Sequence, residues 1–221
     1  MRQVAIIGAG EVGGATAHLL ARRDIARSIL VVDEREKLAA GKTLDIAQAA
    51  PVEGFATQLT ASGDIAAAAG ADVIVIAERA QGGEWTGDDA FVLIKRIAAS
   101  APSAVIVLAG PSARDTIQRS AGEGKIDRRR LIGSAPEALG AAARALTALA
   151  LNGSPHDVAL ALLGIPPSNI VIAWEEATIA GFALARMLNE PTRRRLTSKI
   201  QAAWPPGPHA LAAAADRKST V

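Results

Sequence analysis

Three glycines near the start of the chain have the spacing of a turn that can hold a phosphate. Gly8, Gly10 and Gly13 follow an apolar run of strand type, QVAII, and a helical pattern begins directly after them. A second apolar run, SILVV, is followed by Asp33, which lies 20 residues beyond Gly13. The glycines alone are a weak signal, but glycines flanked by a strand, a helix, a second strand and an acid are a fairly strong one.

Each of these residues has a physical role in such a site. Gly8 allows the tight turn, Gly10 lets a pyrophosphate approach the backbone, and Gly13 lets the helix pack close to the strand. The first turn of the helix offers unpaired N–H groups and a partial positive charge to an anion. Asp33 would accept hydrogen bonds from both hydroxyls of an adenosine ribose and would repel a 2′-phosphate, which favours NAD over NADP.

The turn therefore predicts NAD as the cofactor and NAD(H) as the binding partner. Ligands of such sheets lie at the carboxyl ends of the strands, and the apolar run ADVIVIA ends there at Ala77. The predicted cofactor-binding residues are Gly8, Gly10, Glu11, Val12, Gly13, Asp33 and Ala77. The alternative is a glycine-rich first turn of an α/β protein that binds no dinucleotide.

The composition argues against several other kinds of site. The chain has no cysteine, so disulfides and thiolate ligands are impossible, and no spacing of His and carboxylates predicts a metal site. The net charge of +2 is nearly balanced, and the arginine clusters 128–130 and 193–195 are typical of solvated helix ends, so no nucleic-acid partner is predicted. No apolar run is long enough to span a membrane, and the first strand leaves no room for a signal peptide. We expect a cytoplasmic protein.

Strand and helix patterns alternate six times before residue 152. This alternation predicts an α/β fold with a Rossmann-type, doubly wound parallel sheet and helices on both of its faces. The helix after Asp33 is predicted over 35–49 and is closed by Pro51. We predict an NAD-binding domain over residues 1–152 and a reduced, mainly helical α+β part over residues 153–221.

The pattern of the second part is less regular. Its predicted strands and helices cover 158–163, 170–173, 177–188, 191–203 and a last stretch from about Pro208. Trp174-Glu175-Glu176 follows the second of these strands. We interpret its acidic pair as a helix N-terminus, and the alternative is that the pair reaches a cleft.

The chain resembles the lactate/malate dehydrogenase superfamily over roughly residues 1–165. The stretches that carry the resemblance are VAIIGAGEVGGATAHLL, VVDEREKLAAGKTLDIAQAAPVEGF, ADVIVIA, IVLAGPS and RLIGSAPEALGAAARALTALALN. The most telling is GKTLDIAQAAP, which is similar to the family's second-helix segment. The resemblance implies NAD-linked interconversion of a 2-hydroxy acid and its 2-oxo acid, and subunits that pair through helices of the first domain.

The resemblance also implies a set of catalytic groups. They are a His base held by an Asp, an Arg that grips the substrate carboxylate, an Asn, and an Arg on a mobile loop. The matching positions hold Pro166, Leu139, Ala142, Gly110 and, in the loop, Gln81 and Gly87. Because all five roles are vacant, no catalytic residue is predicted, and we expect a pseudoenzyme that lacks the family's 2-hydroxy acid dehydrogenation.

Two carboxylates are expected near the cofactor. Glu78 stands where the family usually carries a glycine after the strand that ends at Ala77, and Glu11 lies in the phosphate turn. Both would repel a pyrophosphate, although Glu11 is also an ordinary first-turn helix residue facing solvent. Of the three histidines, His18 and His156 are predicted to be packing, surface or turn residues, and only His209 is placed where it could touch a ligand.

Three functions remain open at this stage. They are a diverged NAD-dependent oxidoreductase with another substrate, a non-catalytic NAD(H)-binding or regulatory subunit, and an oligomeric scaffold that binds no dinucleotide. A homo-oligomer is predicted through the small-residue face of Ala39, Ala40, Leu44 and Ala47. The family is longer than this chain, which we expect to be either naturally reduced or a fragment.

Overall fold

A computed structural model describes residues 1–220, and the first part of the chain forms a six-stranded sheet. Its strands are β1 (Gln3–Ile7), β2 (Ser28–Val32), β3 (Gln58–Ser62), β4 (Val73–Ile76), β5 (Val105–Leu108) and β6 (Leu131–Gly133). They lie in the order β3-β2-β1-β4-β5-β6, and every neighbouring pair is parallel. The predicted doubly wound fold is confirmed, with its switch point between β1 and β4.

Helices alternate with these strands along the chain. They are α1 (Glu11–Arg23), α2 (Glu36–Glu53), α3 (Gly87–Ser100), α4 (Ala113–Gly122) and α5 (Ala135–Ala150). The central strands are buried on both faces, as expected for a parallel sheet covered by helices. On one face, Ile74 and Ile106 belong to a core cluster with Ile94 and Ile97 of α3, so aliphatic residues form the core of a chain with few aromatic ones.

The register of the parallel strands brings the predicted site residues to one edge. Ile7 at the end of β1 pairs with Val32 at the end of β2 and with Ile76 at the end of β4. The residue that follows each of these is therefore at the same carboxyl edge of the sheet. These residues are Gly8, Asp33 and Ala77.

The predicted end of the second helix is wrong. α2 continues through Pro51 to Glu53, and Gly54 then adopts a left-handed conformation with φ of 78° and donates its N–H to the carbonyl of Ala50. Pro51 lies in the last turn, where its missing N–H removes only one hydrogen bond of the helix. The left-handed glycine, rather than the proline, ends the helix.

The second part of the chain has two small antiparallel sheets. Its strands are β7 (Val158–Ala159), β8 (Leu162–Ile165), β9 (Asn169–Ile172), β10 (Thr178–Ile179) and β11 (Phe182–Ala183). One sheet has the order β11-β10-β7, and β8 and β9 form the other. Three helices complete the described chain: α6 (Leu184–Met187), α7 (Glu190–Ala202) and α8 (Pro208–Ser219).

Two predicted elements of this part are wrong. The single strand predicted over 158–163 is divided between β7 and β8, which belong to different sheets. The helix predicted over 177–188 is largely a β10–β11 hairpin, and only its end, α6, is helical. Ala180 and Gly181 both have positive φ, of 48° and 84°, which is the backbone of a tight hairpin turn and interrupts a helix.

The chain divides into two compact units, one of Met1–Ala135 with the chain from Leu211 on, and one of Pro136–Ala210. The predicted domain limits, 1–152 and 153–221, remain a prediction. Among residues 1–220, no helix is both long enough and apolar enough to cross a membrane.

Candidate functional site

In the turn between β1 and α1, glycine occupies the positions where a side chain would collide with neighbouring atoms. Gly8 has φ of 109°, and a Cβ there would lie 2.6 Å from the carbonyl oxygen of Ala77. A Cβ at Gly13 would collide with the carbonyl oxygen of Gly8. The tight turn and the close packing of α1 on β1 therefore both depend on these glycines, for the steric reasons inferred from the sequence.

Asp33 is buried at this edge and holds three backbone segments together. Its Oδ2 accepts hydrogen bonds from the N–H of Ala9 at 2.9 Å and of Ala80 at 2.8 Å, and its Oδ1 accepts one from Arg35 N–H at 2.9 Å. Burial raises the pKa of this carboxyl, but the three N–H groups and the Arg35 charge outweigh it and hold the pKa below its usual value. The oxygens that were assigned to a ribose thus already bind the protein's own backbone.

Glu78 occupies the space beside Gly10. Its Oε1 accepts the N–H of Val12 at 2.7 Å, and a Cβ at Gly10 would collide with its carboxylate. The backbone oxygen of Glu78 also accepts the N–H of Gly10 at 3.1 Å. Because Gly10 has no side chain to cap the helix, Glu78 serves as the cap of α1. Glu11, by contrast, is exposed to solvent.

Lys42 of α2 brings a positive charge to the same turn. Its Nζ donates to the carbonyl oxygen of Gly10 at 2.6 Å. Lys42 belongs to the GKTLDIAQAAP stretch, but its contact with the turn was not predicted, because the contact depends on how α2 lies beside α1. The site therefore combines the N-terminus of α1 with a lysine and a glutamate that both contact the first residues of the turn and helix.

Glu84, from the loop between β4 and α3, fills a second space at this edge. Its Oε1 accepts the N–H of Ser112 at 2.9 Å, and a Cβ at Gly110 would collide with its carboxylate. Burial, together with the charge of Glu78, raises the pKa of Glu84 above its usual value, although hydrogen bonds from Ser112 oppose this. Gly110 is the position that the resemblance assigned to an Asn, and Glu84 now takes the room that an Asn side chain would need.

A cavity of about 510 Å³ opens on the other side of Gly8. Its walls include Asp33, Gly63, Ile65 and Trp85. This volume is typical of a small-molecule site. The cavity lies beyond the end of β2, the side on which a Rossmann-type site holds the adenosine half of a dinucleotide.

Three arginines also line the cavity: Arg35, Arg79 and Arg96. The Arg79 guanidinium stacks on the Trp85 ring at 3.9 Å from its centroid and donates to Asp89 at 3.3 Å. These contacts hold one wall of the cavity in place. These contacts could not be predicted, because the loop from Glu78 to Gly87 has no periodic pattern in the sequence.

The residues at this edge fit a dinucleotide on one side only. The cavity beside Asp33 has room for an adenosine moiety. At the start of α1, the place of a diphosphate is taken by the Glu78 carboxylate, which uses the Val12 N–H and fills the space at Gly10. The arrangement described therefore does not fit the diphosphate.

The seven predicted cofactor-binding residues all lie at this edge. Six of them surround the turn: Gly8, Gly10, Glu11, Val12, Gly13 and Ala77. Asp33 is joined to the turn through the Ala9 N–H. The structure thus brings the predicted set together, and their role in binding a cofactor remains a prediction.

The positions matched to the family's catalytic groups carry no group that could take up a proton. Leu139 is buried in α5, where it belongs to a core cluster with Ile170 and Ile200. Ala142 is on the same helix, and Pro166 lies in the turn between β8 and β9. Among residues 1–220, no group of three or more His, Asp or Glu side chains is placed to hold a metal ion.

The three histidines and the acidic pair after β9 lie at the protein surface or in a turn. His18 contacts Glu53 at 3.0 Å on the surface, and both His156 and His209 are exposed. Trp174-Glu175-Glu176 forms a turn rather than the start of a helix, and Glu175 pairs with Arg193 at 2.7 Å. The preferred interpretation of this pair as a helix N-terminus is therefore wrong.

The chain is similar in sequence to a known protein family and to curated proteins. Residues 2–89 match the family described as lactate/malate dehydrogenase, NAD binding domain. A malate dehydrogenase of Thermomicrobium roseum is 33% identical over 197 residues, which cover 85% of this chain and 63% of that protein. A malate dehydrogenase of Syntrophotalea carbinolica is 46% identical over 74 residues, which cover 34% of this chain and 23% of that protein. The chain thus spans less than two thirds of the length of these relatives.

Solved structures show the same fold at lower identity. A malate dehydrogenase from Salinibacter ruber has a TM-score of 0.85 at 21% identity, and the match covers 97% of this chain and 74% of that one. A lactate dehydrogenase from Cryptosporidium parvum has a TM-score of 0.81 at 19% identity, covering 98% of this chain and 75% of that one. About a quarter of each of these two structures has no counterpart here.

Proposed function

The chain belongs to the lactate/malate dehydrogenase superfamily, and from this premise we propose that it binds NAD(H) without carrying out 2-hydroxy acid dehydrogenation. The observation that carries the proposal is the cavity beside Asp33. This cavity lies in the compact unit of Met1–Ala135, which also contains the glycine turn. Most of the lining residues belong to residues 2–89, the part that matches an NAD-binding domain. The cavity gives this part of the chain a place for the adenosine half of the cofactor.

The proposed lack of dehydrogenation rests on the chemistry of the side chains. Leu139, Ala142 and Pro166 can neither accept a proton nor grip a carboxylate with paired hydrogen bonds. Loss of a general base alone lowers the rate by about 10²-fold or more. The proposal therefore describes a non-catalytic NAD(H)-binding or regulatory protein.

Calorimetric titration with NAD, NADH and NADP tests the cofactor. We expect binding of NAD and NADH to exceed that of NADP, because the buried Asp33 carboxylate repels a 2′-phosphate. Gln81→Trp places an indole in the cavity from an exposed loop position and is expected to weaken NAD binding by about tenfold or more. Gln118→Trp, the same change on the exposed surface of α4, should leave the affinity within about twofold.

The result that would overturn the proposal is a lack of heat and of thermal shift with NAD and NADH at millimolar concentration. The oligomeric scaffold would then be the better interpretation. If Gln81→Trp weakens NAD binding no more than Gln118→Trp does, the cofactor binds outside the cavity.

A second candidate, an NAD-dependent oxidoreductase acting on another substrate, is favoured by one observation. Glu84 lies at the carboxyl edge near β5, and burial raises the pKa of its carboxyl above the usual value, which is typical of a group that takes up and releases a proton in catalysis. A screen of 2-hydroxy acids and alcohols for NADH formation tests this candidate. Turnover that Glu84→Gln abolishes, while NAD binding persists, would favour the oxidoreductase over the binding protein.

The proposed homo-oligomer would use the exposed surface of α2. Leu44 is 60% exposed and Ala40 is exposed, whereas Ala39 is fully buried in the protein's own core and cannot contribute to an interface. Val52 adds an apolar side chain that is 89% exposed. Light scattering after size-exclusion chromatography at micromolar concentration tests the interface, and a monomer there would exclude it. The cytoplasmic location remains a prediction.

A further inference from the structure

The site for a diphosphate is filled by a side chain of the protein itself. The Val12 N–H at the start of α1 has no partner within the helix, and it donates a hydrogen bond to Glu78 Oε1 at 2.7 Å. The same carboxylate lies against Gly10, on the face that the missing side chain leaves open. Carboxylate and phosphate oxygens are both anionic acceptors that helix N-termini favour, so Glu78 holds the position that a diphosphate would need.

Glu78 is fixed in this position through its backbone as well. Its carbonyl oxygen accepts a hydrogen bond from the Gly10 N–H at 3.1 Å. The preceding residue, Ala77, is buried and donates its N–H to the carbonyl oxygen of Ile7 at 2.9 Å. The carboxylate is therefore attached to the edge of the sheet and competes at a high effective concentration with any free anion. A dinucleotide must displace it before the diphosphate can reach Val12.

The charges differ on the two sides of Gly8. Three arginines line the adenosine-side cavity, whereas Glu78 and Glu84 are close enough for the charge of one to raise the pKa of the other. A diphosphate would add negative charge to the acidic side. If Glu78 moved away, the Val12 N–H and the Lys42 ammonium beside Gly10 would remain as attractive groups.

We propose that Glu78 is an intramolecular competitor of the cofactor's diphosphate and so determines which ligands the site accepts. With Glu78 on Val12, the cavity takes an adenosine moiety alone, and a dinucleotide binds fully only after the carboxylate has left. This inference rests on the proposed binding of NAD(H). Its consequence is that removal of the Glu78 carboxylate strengthens the binding of NAD and leaves that of adenosine unchanged.

The test compares NAD and adenosine in the full chain by calorimetric titration. Glu78→Gly removes the side chain, and Glu78→Gln keeps its size while removing the charge. We expect Glu78→Gly to tighten NAD binding by about tenfold or more, which is the value of one charge-assisted hydrogen bond, with Glu78→Gln intermediate. Adenosine affinity should change by less than about twofold in both variants. Glu123→Gln, which neutralises an exposed carboxylate at the end of α4, is the control and should change NAD affinity by less than about twofold.

A second measurement does not depend on NAD binding. In a titration with inorganic pyrophosphate followed by NMR, the Val12 amide resonance should move in Glu78→Gly and stay unchanged in the wild-type protein. If no variant binds NAD but this shift appears, the inference holds and the proposed function fails. If NAD affinity is equal in the wild type and Glu78→Gly, or if pyrophosphate moves the Val12 resonance equally in both, the inference is wrong.

Discussion

The two sides of the Gly8 turn differ although they share one sheet edge. On the β2 side the edge opens into a cavity of about 510 Å³. Towards β4 and β5 the space beside Gly10 is filled by Glu78 and the space beside Gly110 by Glu84, and both glutamates come from one loop. The topology thus creates two adjacent spaces, and the loop after β4 decides that only one of them is open.

The carboxylates on the two sides also differ in how many backbone N–H groups donate hydrogen bonds to them. Asp33 accepts three N–H groups, and its pKa is lowered in spite of its burial. Glu84 accepts one backbone N–H, and its pKa is raised by burial and by the charge of Glu78. The number of donors that face a buried carboxylate therefore separates a structural residue, Asp33, from one whose charge is poorly compensated, Glu84.

The largest effect should come from Asp33→Ala. The N–H groups of Ala9, Ala80 and Arg35 would lose their acceptor, and we expect a loss of about 3 kcal/mol in the free energy of unfolding at pH 7. Urea unfolding measures this loss, and Glu34→Ala, an exposed neighbouring acid, should change stability by less than about 0.5 kcal/mol.

The pH dependence sharpens the same prediction. Because the pKa of Asp33 is lower in the folded state than in the unfolded one, its stabilisation is complete above the unfolded pKa and is lost as the pH falls through the folded pKa. The difference between the wild type and Asp33→Ala should therefore shrink in acid. A difference of less than about 1 kcal/mol at pH 7 would mean that Asp33 does not join these segments as described.

An intermediate effect is expected for Gly10→Ala. The new methyl group would displace the Glu78 carboxylate and break its bond to Val12, at a loss of about 1 kcal/mol. In a Glu78→Ala background that bond is already absent, so the same change should be milder. A double-mutant cycle on urea unfolding isolates the coupling, and the cycle with Glu11→Ala in place of Glu78→Ala should show none. Additive effects of the two substitutions would mean that the Glu78 carboxylate does not fill the space beside Gly10.

The smallest effect is expected for Glu84→Gln. Because the pKa of Glu84 is raised in the folded state, its charged form is disfavoured there, and the penalty appears as the pH rises through the folded pKa. The glutamine can still accept the Ser112 N–H, so the variant should be more stable than the wild type at pH 7 by about 0.5 kcal/mol. The difference should disappear at pH 4, as thermal unfolding at the two pH values can check. A variant that is less stable at pH 7 would contradict the assigned role of burial.

Much of the first unit could be predicted because its signals are local. The apolar runs of β1, β2 and β4 indicate buried parallel strands, and Gly13 is required by a contact within the turn itself, with the carbonyl of Gly8. The contact that requires Gly8, by contrast, is with the distant Ala77. In the second part, the segment 177–188 was assigned to a helix because its composition favours one. The positive φ of Ala180, which makes the hairpin possible, leaves no mark on an alanine, so this error could not be seen from the sequence.

The sequence by itself determined the glycine turn, the acid at the end of β2 and the sheet that joins them, whereas the vacancy of the family's catalytic positions remains a prediction. These depend on residue type, on periodicity and on contacts between neighbours in the chain. Only the tertiary structure decided that Glu78 caps α1 and that Asp33 binds the backbone. The Val12–Glu78 contact joins residues 66 positions apart, and the loop that makes it has no periodicity from which its path could be inferred.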